Sequence, residues 1–202
     1  MFRKLVFSLA ALAAAAFVSP QIAHANDKAV IVLDASGSMW GQIDGKTKIE
    51  IARDTLSGVL ETLPADLDLG LVAYGHREKG NCSDIEEIVA PGPDSRQSIR
   101  EAVGALNPKG KTPIADSVKT AAEALRYTED KATVIVITDG IETCNADPCA
   151  LATELDKLGV HFTAHVIGFG LSEEEGRQVA CLAENTGGKY LQASNADELT
   201  GA

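Results

Sequence analysis

Unbroken apolar runs that stop abruptly alternate along this chain with stretches in which apolar positions recur every three or four residues. The first pattern marks buried strands and the second marks one face of a helix. Ala29 to Leu33 is the first such strand. Ile49, Ala52, Leu56, Val59, Leu60 and Leu63 then recur at helical spacing, and Pro64 ends that helix. Leu67 to Tyr74 predicts a second strand and Ile85 to Val89 a weaker third, joined by the short connection "GHREKGNCSD". So brief a link suits a hairpin, which makes the third strand antiparallel and places it at an edge. Helical spacing returns over Ser95 to Leu106 and, after the loop "NPKGKTP", at Ile114, Val118, Ala121, Ala122 and Leu125. "ATVIVITDG" then predicts a central strand, "DPCALATELDKLG" a helix opened by Asp147 and Pro148 and closed by Gly159, and "VHFTAHVIGFG" another strand. A last full helix over "SEEEGRQVACLAEN" and a strand over "GGKYLQA" complete the series.

Strands that alternate with helices predict an α/β fold of doubly wound type: a mostly parallel six-stranded sheet with one antiparallel edge strand and helices on both faces. No internal repeat, linker or low-complexity tract interrupts it. The chain stops soon after "NADEL". A shortened C-terminus and further modules downstream both stay open.

The first 25 residues read differently. Arg3 and Lys4 precede an Ala/Leu/Phe/Val run from Leu5 to Val18, and Ala23-His24-Ala25 offers a small-x-small cleavage site. The run is shorter than the about 20 apolar residues of a membrane span, so residues 1–25 are expected to be a signal peptide and 26–202 one domain. The full chain carries a net charge of −11, and loss of Arg3 and Lys4 leaves 16 basic against 29 acidic residues. Such a surface repels nucleic-acid backbones and anionic lipid, which argues against both as partners once the leader is removed. Cys82, Cys144, Cys149 and Cys181 all lie in the exported part. An even number in an oxidising compartment, without a Cys-x-x-Cys pair, favours two disulfides over a zinc site. Of the three pairings, the topology favours Cys82 with Cys144 and Cys149 with Cys181, because the third strand and the last helix belong to opposite ends of the sheet. The expected location is the periplasm or outside the cell.

Open α/β sheets place their sites beyond the carboxyl ends of the strands, where the strand order reverses. Asp34 ends the first strand and Asp139 the fourth, so both acids are expected in one crevice. Ser36 and Ser38 follow in the loop "ASGSM", and Thr112 comes from the loop between two helices. Two carboxylates and three hydroxyls make an all-oxygen set suited to a hard cation, Mg²⁺ first, with Mn²⁺ or Ca²⁺ as substitutes.

The set Asp34-x-Ser36-x-Ser38, Thr112 and Asp139, with the segments "DASGSMWG", "GKTPIADSV" and "VITDGIETC", resembles the metal-ion-dependent adhesion site (MIDAS) of the von Willebrand factor type A family, in its bacterial exported members. The resemblance covers essentially the whole chain after the leader and implies a Rossmann-like fold. It implies that Ser36, Ser38 and Thr112 touch the metal while Asp34 and Asp139 act largely through bound water. A cation held by neutral hydroxyls keeps much of its charge towards solvent. The implied function is adhesion or scaffolding, in which a partner protein's Asp or Glu completes the coordination. Repulsion between an acidic domain and such a partner is screened over about 8 Å at physiological ionic strength.

Two other readings compete. A metal-dependent hydrolase would use Asp34 as nucleophile, yet Ser36 stands where Asp-x-Asp enzymes carry a second acid, and no Gly-x-Ser-x-Gly elbow surrounds Ser38. The domain is therefore expected not to be an enzyme. A structural domain with a vestigial site is the other alternative. His161 and His165, four apart on a strand, stand roughly 13 Å from each other, too far to share an ion. His76 is expected to serve its turn, Trp40 to pack as core or lid, and Asp147 to cap a helix in preference to joining Glu142 around a second cation.

Overall fold

The structure is a computed structural model and describes residues 27–202. The expected leader, residues 1–25, lies outside the described residues. Among the described residues no helix is long and apolar enough to cross a membrane.

Six strands form one sheet in the order β5-β4-β1-β6-β7-β8. They are β1 (Lys28–Asp34), β4 (Asp68–Tyr74), β5 (Ile85–Gly92), β6 (Lys131–Thr138), β7 (Val160–Phe169) and β8 (Tyr190–Ala193). Only β5 runs antiparallel, and it pairs with β4 at the edge, as the short connection predicts. The reversal of strand order falls at β1, whose neighbours are β4 and β6.

Burial follows this order. After a half-buried first residue, β1 and β4 are buried throughout, which is why both read as continuous apolar runs and not as alternation. On one face α3 (Ile114–Ala124), α4 (Pro148–Leu158) and α5 (Glu173–Glu184) cover Val30, Val32, Val134, Val136 and Val166. On the other, α1 (Lys48–Thr62), α2 (Arg96–Ala105) and the short α6 (Ala196–Gly201) cover Ile31, Leu33, Leu69 and Leu71. Coverage there thins beyond β1. Along β6 and β7, buried residues alternate with half-buried ones such as Ile135 and Ile167. An apolar groove of about 340 Å³ remains beside them.

The expected series lacked a one-turn 3-10 helix over Gly37–Trp40, a short hairpin and a C-terminal helix. A hairpin of β2 (Gln42–Ile43) and β3 (Lys46–Thr47) follows the first strand–loop unit. Its turn, Asp44-Gly45, has φ of 50° and 83°, the left-handed pair that a tight hairpin requires. The C-terminal helix is α6, about one and a half turns that take in most of "NADEL", opened by Asn195, whose side chain accepts from the Glu198 N–H.

The helix starts are chemically fixed. Thr47 and Glu50 form a capping box on α1, and Ser172 and Glu175 form one on α5. Asp147 caps α4 with Pro148 beside it, as expected. Both disulfides have the expected pairing, Cys82–Cys144 and Cys149–Cys181.

Candidate functional site

Asp34 is the last residue of β1 and is fully buried. One carboxylate oxygen accepts the Ser36 N–H at 2.7 Å, which turns the loop back over the strand end. The other accepts the Thr138 hydroxyl at 2.8 Å from the last position of the neighbouring β6. Thr138 in turn accepts a hydrogen bond from the Tyr74 hydroxyl at 3.1 Å. Burial, followed by the charge of Asp139, pushes the Asp34 carboxyl up to about 6, against the lowering pull of its hydrogen bonds from Ser36 and Thr138. Burial first, then the Asp34 charge, likewise raises the Tyr74 phenol well above its ordinary value.

Above Asp34, the hydroxyls form a chain. Ser38 Oγ donates to Asp139 Oδ1 at 2.6 Å, and Ser36 Oγ lies 2.9 Å from Ser38 Oγ. With the Ser38 proton committed to Asp139, Ser36 is the donor of the second bond. Thr112 joins from the opposite wall: a methyl group built at Gly140 would sit 3.7 Å from Thr112 Oγ1 and 3.9 Å from Ser38 Oγ. Ser36, Ser38, Thr112 and Asp139 line one open crevice, and Asp34 supports its floor. Five side chains separated by as many as 105 positions thus meet at the strand ends.

Backbone approach makes this convergence feasible. The loop carrying Ser36 forms a parallel bridge with Gly110, and Gly37 N–H donates to Gly110 O at 3.1 Å. Lys109 and Gly110 both donate to Gly75 O, at 2.9 and 2.7 Å. A Cβ on Gly75 would lie 2.6 Å from Lys111 O, and one on Gly110 would lie 2.7 Å from Glu78 O. Three chain segments can pack this closely only because both positions lack a side chain. Thr112 is then fixed by the loop after β6: its N–H donates to Thr143 Oγ1 at 2.8 Å, and its carbonyl accepts from Thr143 N–H at 3.1 Å. Glu142 accepts from the Ala115 and Cys144 N–H groups, at 3.0 and 2.7 Å. Glu142 therefore secures the start of α3 behind Thr112.

Sequence reasoning missed these supports and one charged group. Lys48 Nζ lies 2.9 Å from Asp139 Oδ2, with the Asp139 side chain fully buried and that of Lys48 16% exposed. Trp40 departs from expectation. It is 50% exposed beside the crevice, because its indole N–H donates to Pro108 O at 2.8 Å and holds the ring on the surface of that loop. His76 does not enter the crevice; its Nε2 is 3.0 Å from a Glu86 oxygen. His161 is exposed, while His165 Nδ1 accepts from the Lys189 N–H at 3.2 Å.

The donor set fits a hard cation by its chemistry: the Ser36, Ser38 and Thr112 hydroxyls and the Asp139 carboxylate line the same crevice, and all are oxygen donors. An exposed hydroxyl, Ser38, tops the set while the carboxylates lie buried below it.

Residues 29–142, which contain all five candidate residues, match the family model of the von Willebrand factor type A domain. An uncharacterized protein of Bacillus subtilis (strain 168), YwmD, is 31% identical over 211 residues, covering 98% of this chain and 94% of the relative. In fold the chain is similar to the pilus adhesin SpaC from Lactobacillus rhamnosus GG, with a TM-score of 0.72 and 17% identity over 90% of this chain and 30% of that one. It is also similar to proximal thread matrix protein 1 of the mussel byssus in a form with a zinc-occupied MIDAS motif, with a TM-score of 0.65 and 19% identity over 87% of this chain and 43% of that one. The chain thus spans less than half the length of these two solved chains. On the family match and the full-length relative, the chain belongs to the von Willebrand factor type A domain family.

Proposed function

We propose that this is an exported protein-binding domain, used in adhesion or scaffolding, whose crevice holds a divalent cation and through it an acidic residue of a partner. Domains of this family are generally binding modules and not enzymes. The observation that carries the reading is the hydroxyl chain Ser36–Ser38–Asp139 facing Thr112 over the buried Asp34. Ser36, Ser38 and Thr112 would be the direct ligands, and Asp34 and Asp139 would act through water. The preferred ion is Mg²⁺, with Mn²⁺ or Ca²⁺ able to substitute. A bound cation would supply positive charge and an exchangeable coordination position for the incoming carboxylate.

The chain's own residues do the rest. Asp34 fixes the Ser36 backbone, so that the serine hydroxyls are held before any ion arrives. Thr143 and Glu142 hold Thr112 against the serines. Trp40, half-exposed and anchored to Pro108, offers an apolar contact beside the acid anchor. Two disulfides support export, since such bridges persist in oxidising compartments.

Calorimetric titration with Mg²⁺ and Mn²⁺ tests the site. Wild type is expected to bind and Ser36→Ala to lose at least tenfold in affinity; equal binding by both would remove the hydroxyls from the coordination. A pull-down from envelope and secreted fractions tests the partner. Capture should vanish with a chelator and with Asp34→Ala, and capture indifferent to both would rule out the metal-dependent reading.

A further inference from the structure

We propose that Lys48 is a positioning residue that holds down the crevice's affinity for divalent cations by keeping its ammonium on Asp139. The inference rests on the cation reading above and adds to it a residue outside the five expected ligands.

Lys48 is the first residue of α1, directly after the Thr47 cap. A cation at a helix N-terminus faces the positive end of the macrodipole, so helix stability does not explain a lysine there. Its side chain nevertheless reaches the strand ends. The stem runs between Gly41 and Gly170: a Cβ on Gly41 would lie 3.6 Å from Lys48 Cε, and one on Gly170 3.1 Å from Cε and 3.2 Å from Nζ. At its end the ammonium meets Asp139 Oδ2 at 2.9 Å, while the other oxygen of the same carboxylate accepts from Ser38 at 2.6 Å. Asp139 is thereby shared between the candidate ligand chain and a built-in cation.

The charge count gives the consequence. Asp34 and Asp139 contribute two negative charges to the crevice and Lys48 cancels one, while Glu175 and Lys111, which also line it, carry opposite charges that offset each other. A divalent ion entering it therefore meets one uncompensated negative charge, together with the repulsion of an ammonium already seated on one of the two acids. The affinity for the ion falls, and the bound ion keeps an excess of positive charge towards solvent. A site without the lysine would hold its ion more tightly and be neutral towards an arriving acid. Lys48 thus exchanges affinity for the metal against attraction for the partner.

The sign of the effect separates this role from a structural one. If Lys48 merely supported Asp139, removing it would weaken ion binding; the proposal requires the opposite. The test is titration of Mn²⁺ alone into the full chain, followed by loss of the free-ion electron paramagnetic resonance signal. Lys48→Met is expected to bind Mn²⁺ about tenfold more tightly than wild type, the scale of removing one nearby charge at a partly solvated site. Lys48→Arg, which keeps the charge, is expected within about threefold of wild type on the same scale. Thermal unfolding by circular dichroism checks that each variant folds, and Lys48→Gln replaces Lys48→Met should the latter fail. Wild-type binding with equal or weaker binding by the neutral variants overturns the role of Lys48 alone. Absence of binding by both wild type and the folded neutral variants overturns the cation reading and this inference with it.

Discussion

At the scale of single residues, Asp34 is tightly constrained: it is fully buried and both carboxylate oxygens are engaged. Its carboxylate accepts a backbone and a hydroxyl hydrogen bond, yet burial, followed by the charge of Asp139, outweighs them and its folded pKa rises from 3.8 to about 6. A carboxyl raised on folding adds stability that is full below the unfolded value and is lost as pH climbs through the folded one. The difference in unfolding free energy between wild type and Asp34→Asn, measured in chelator, is therefore expected to shift against wild type between about pH 4 and 6, by on the order of 2–3 kcal/mol. Mg²⁺ at pH 7 should recover part of that loss, since a bound cation favours the ionised acid. A difference that stays flat across the window would mean that Asp34 titrates at its ordinary value. Asp34, Ser36 and Ser38 were picked out in the sequence as part of a set: each alone could serve a cap or a turn, but the alternate spacing from the end of a buried strand, with Thr112 and Asp139 in order, singled them out. Lys48 was not, because a lysine opening an amphipathic helix looks like any solvated side chain until the fold brings Gly41 and Gly170 to either side of its stem.

At the scale of elements, the site depends on three loops crossing within backbone contact. Gly75 has φ of 70°, and a methyl there would meet Lys111 O at 2.6 Å and Ser36 Cα at 2.9 Å. Both the conformation and the space exclude a side chain. Gly75→Ala is expected to cost about 2 kcal/mol or more and to weaken cation binding as well, because relief of the clash must push the Thr112 loop away from the serines. A variant with wild-type melting temperature and wild-type Mn²⁺ affinity would refute that coupling. The strand and helix order was legible, since unbroken apolar runs and a period near four are written in consecutive residues. The hairpin β2–β3 was not read from the sequence: Asp44-Gly45, between Ile43 and Lys46, marks its turn, but its two-residue strands are too short to generate a period. The loop crossing was not legible: Gly75 and Gly110 are distant in sequence, and only the completed sheet sets one against the other.

At the scale of the whole molecule, the two disulfides tie the surface loops to the frame. Cys82–Cys144 and Cys149–Cys181 span 62 and 32 positions. Restriction of the unfolded chain by loops of that size contributes about 4 kcal/mol each on a chain-entropy model. Their pairing followed from the topology because the sheet order keeps Cys82 and Cys181 apart. Trp40 did not follow, since the bond that holds its indole outward comes from Pro108, in a loop far along the chain. The bridges also divide the molecule mechanically. A load drawn between residue 27 and residue 202 passes from Cys82 directly to Cys144 and from Cys149 directly to Cys181, so segments 83–143 and 150–180 carry no tension. Single-molecule stretching is expected to release only the remaining contour, and a reductant to add about 3.6 Å for every shielded residue; identical extensions would show that the bridges do not form. The dividing line runs through the crevice itself. Asp34, Ser36 and Ser38 lie on the loaded strand of the path, Thr112 and Asp139 on the shielded one, so an ion seated between them would act as a rivet resisting shear.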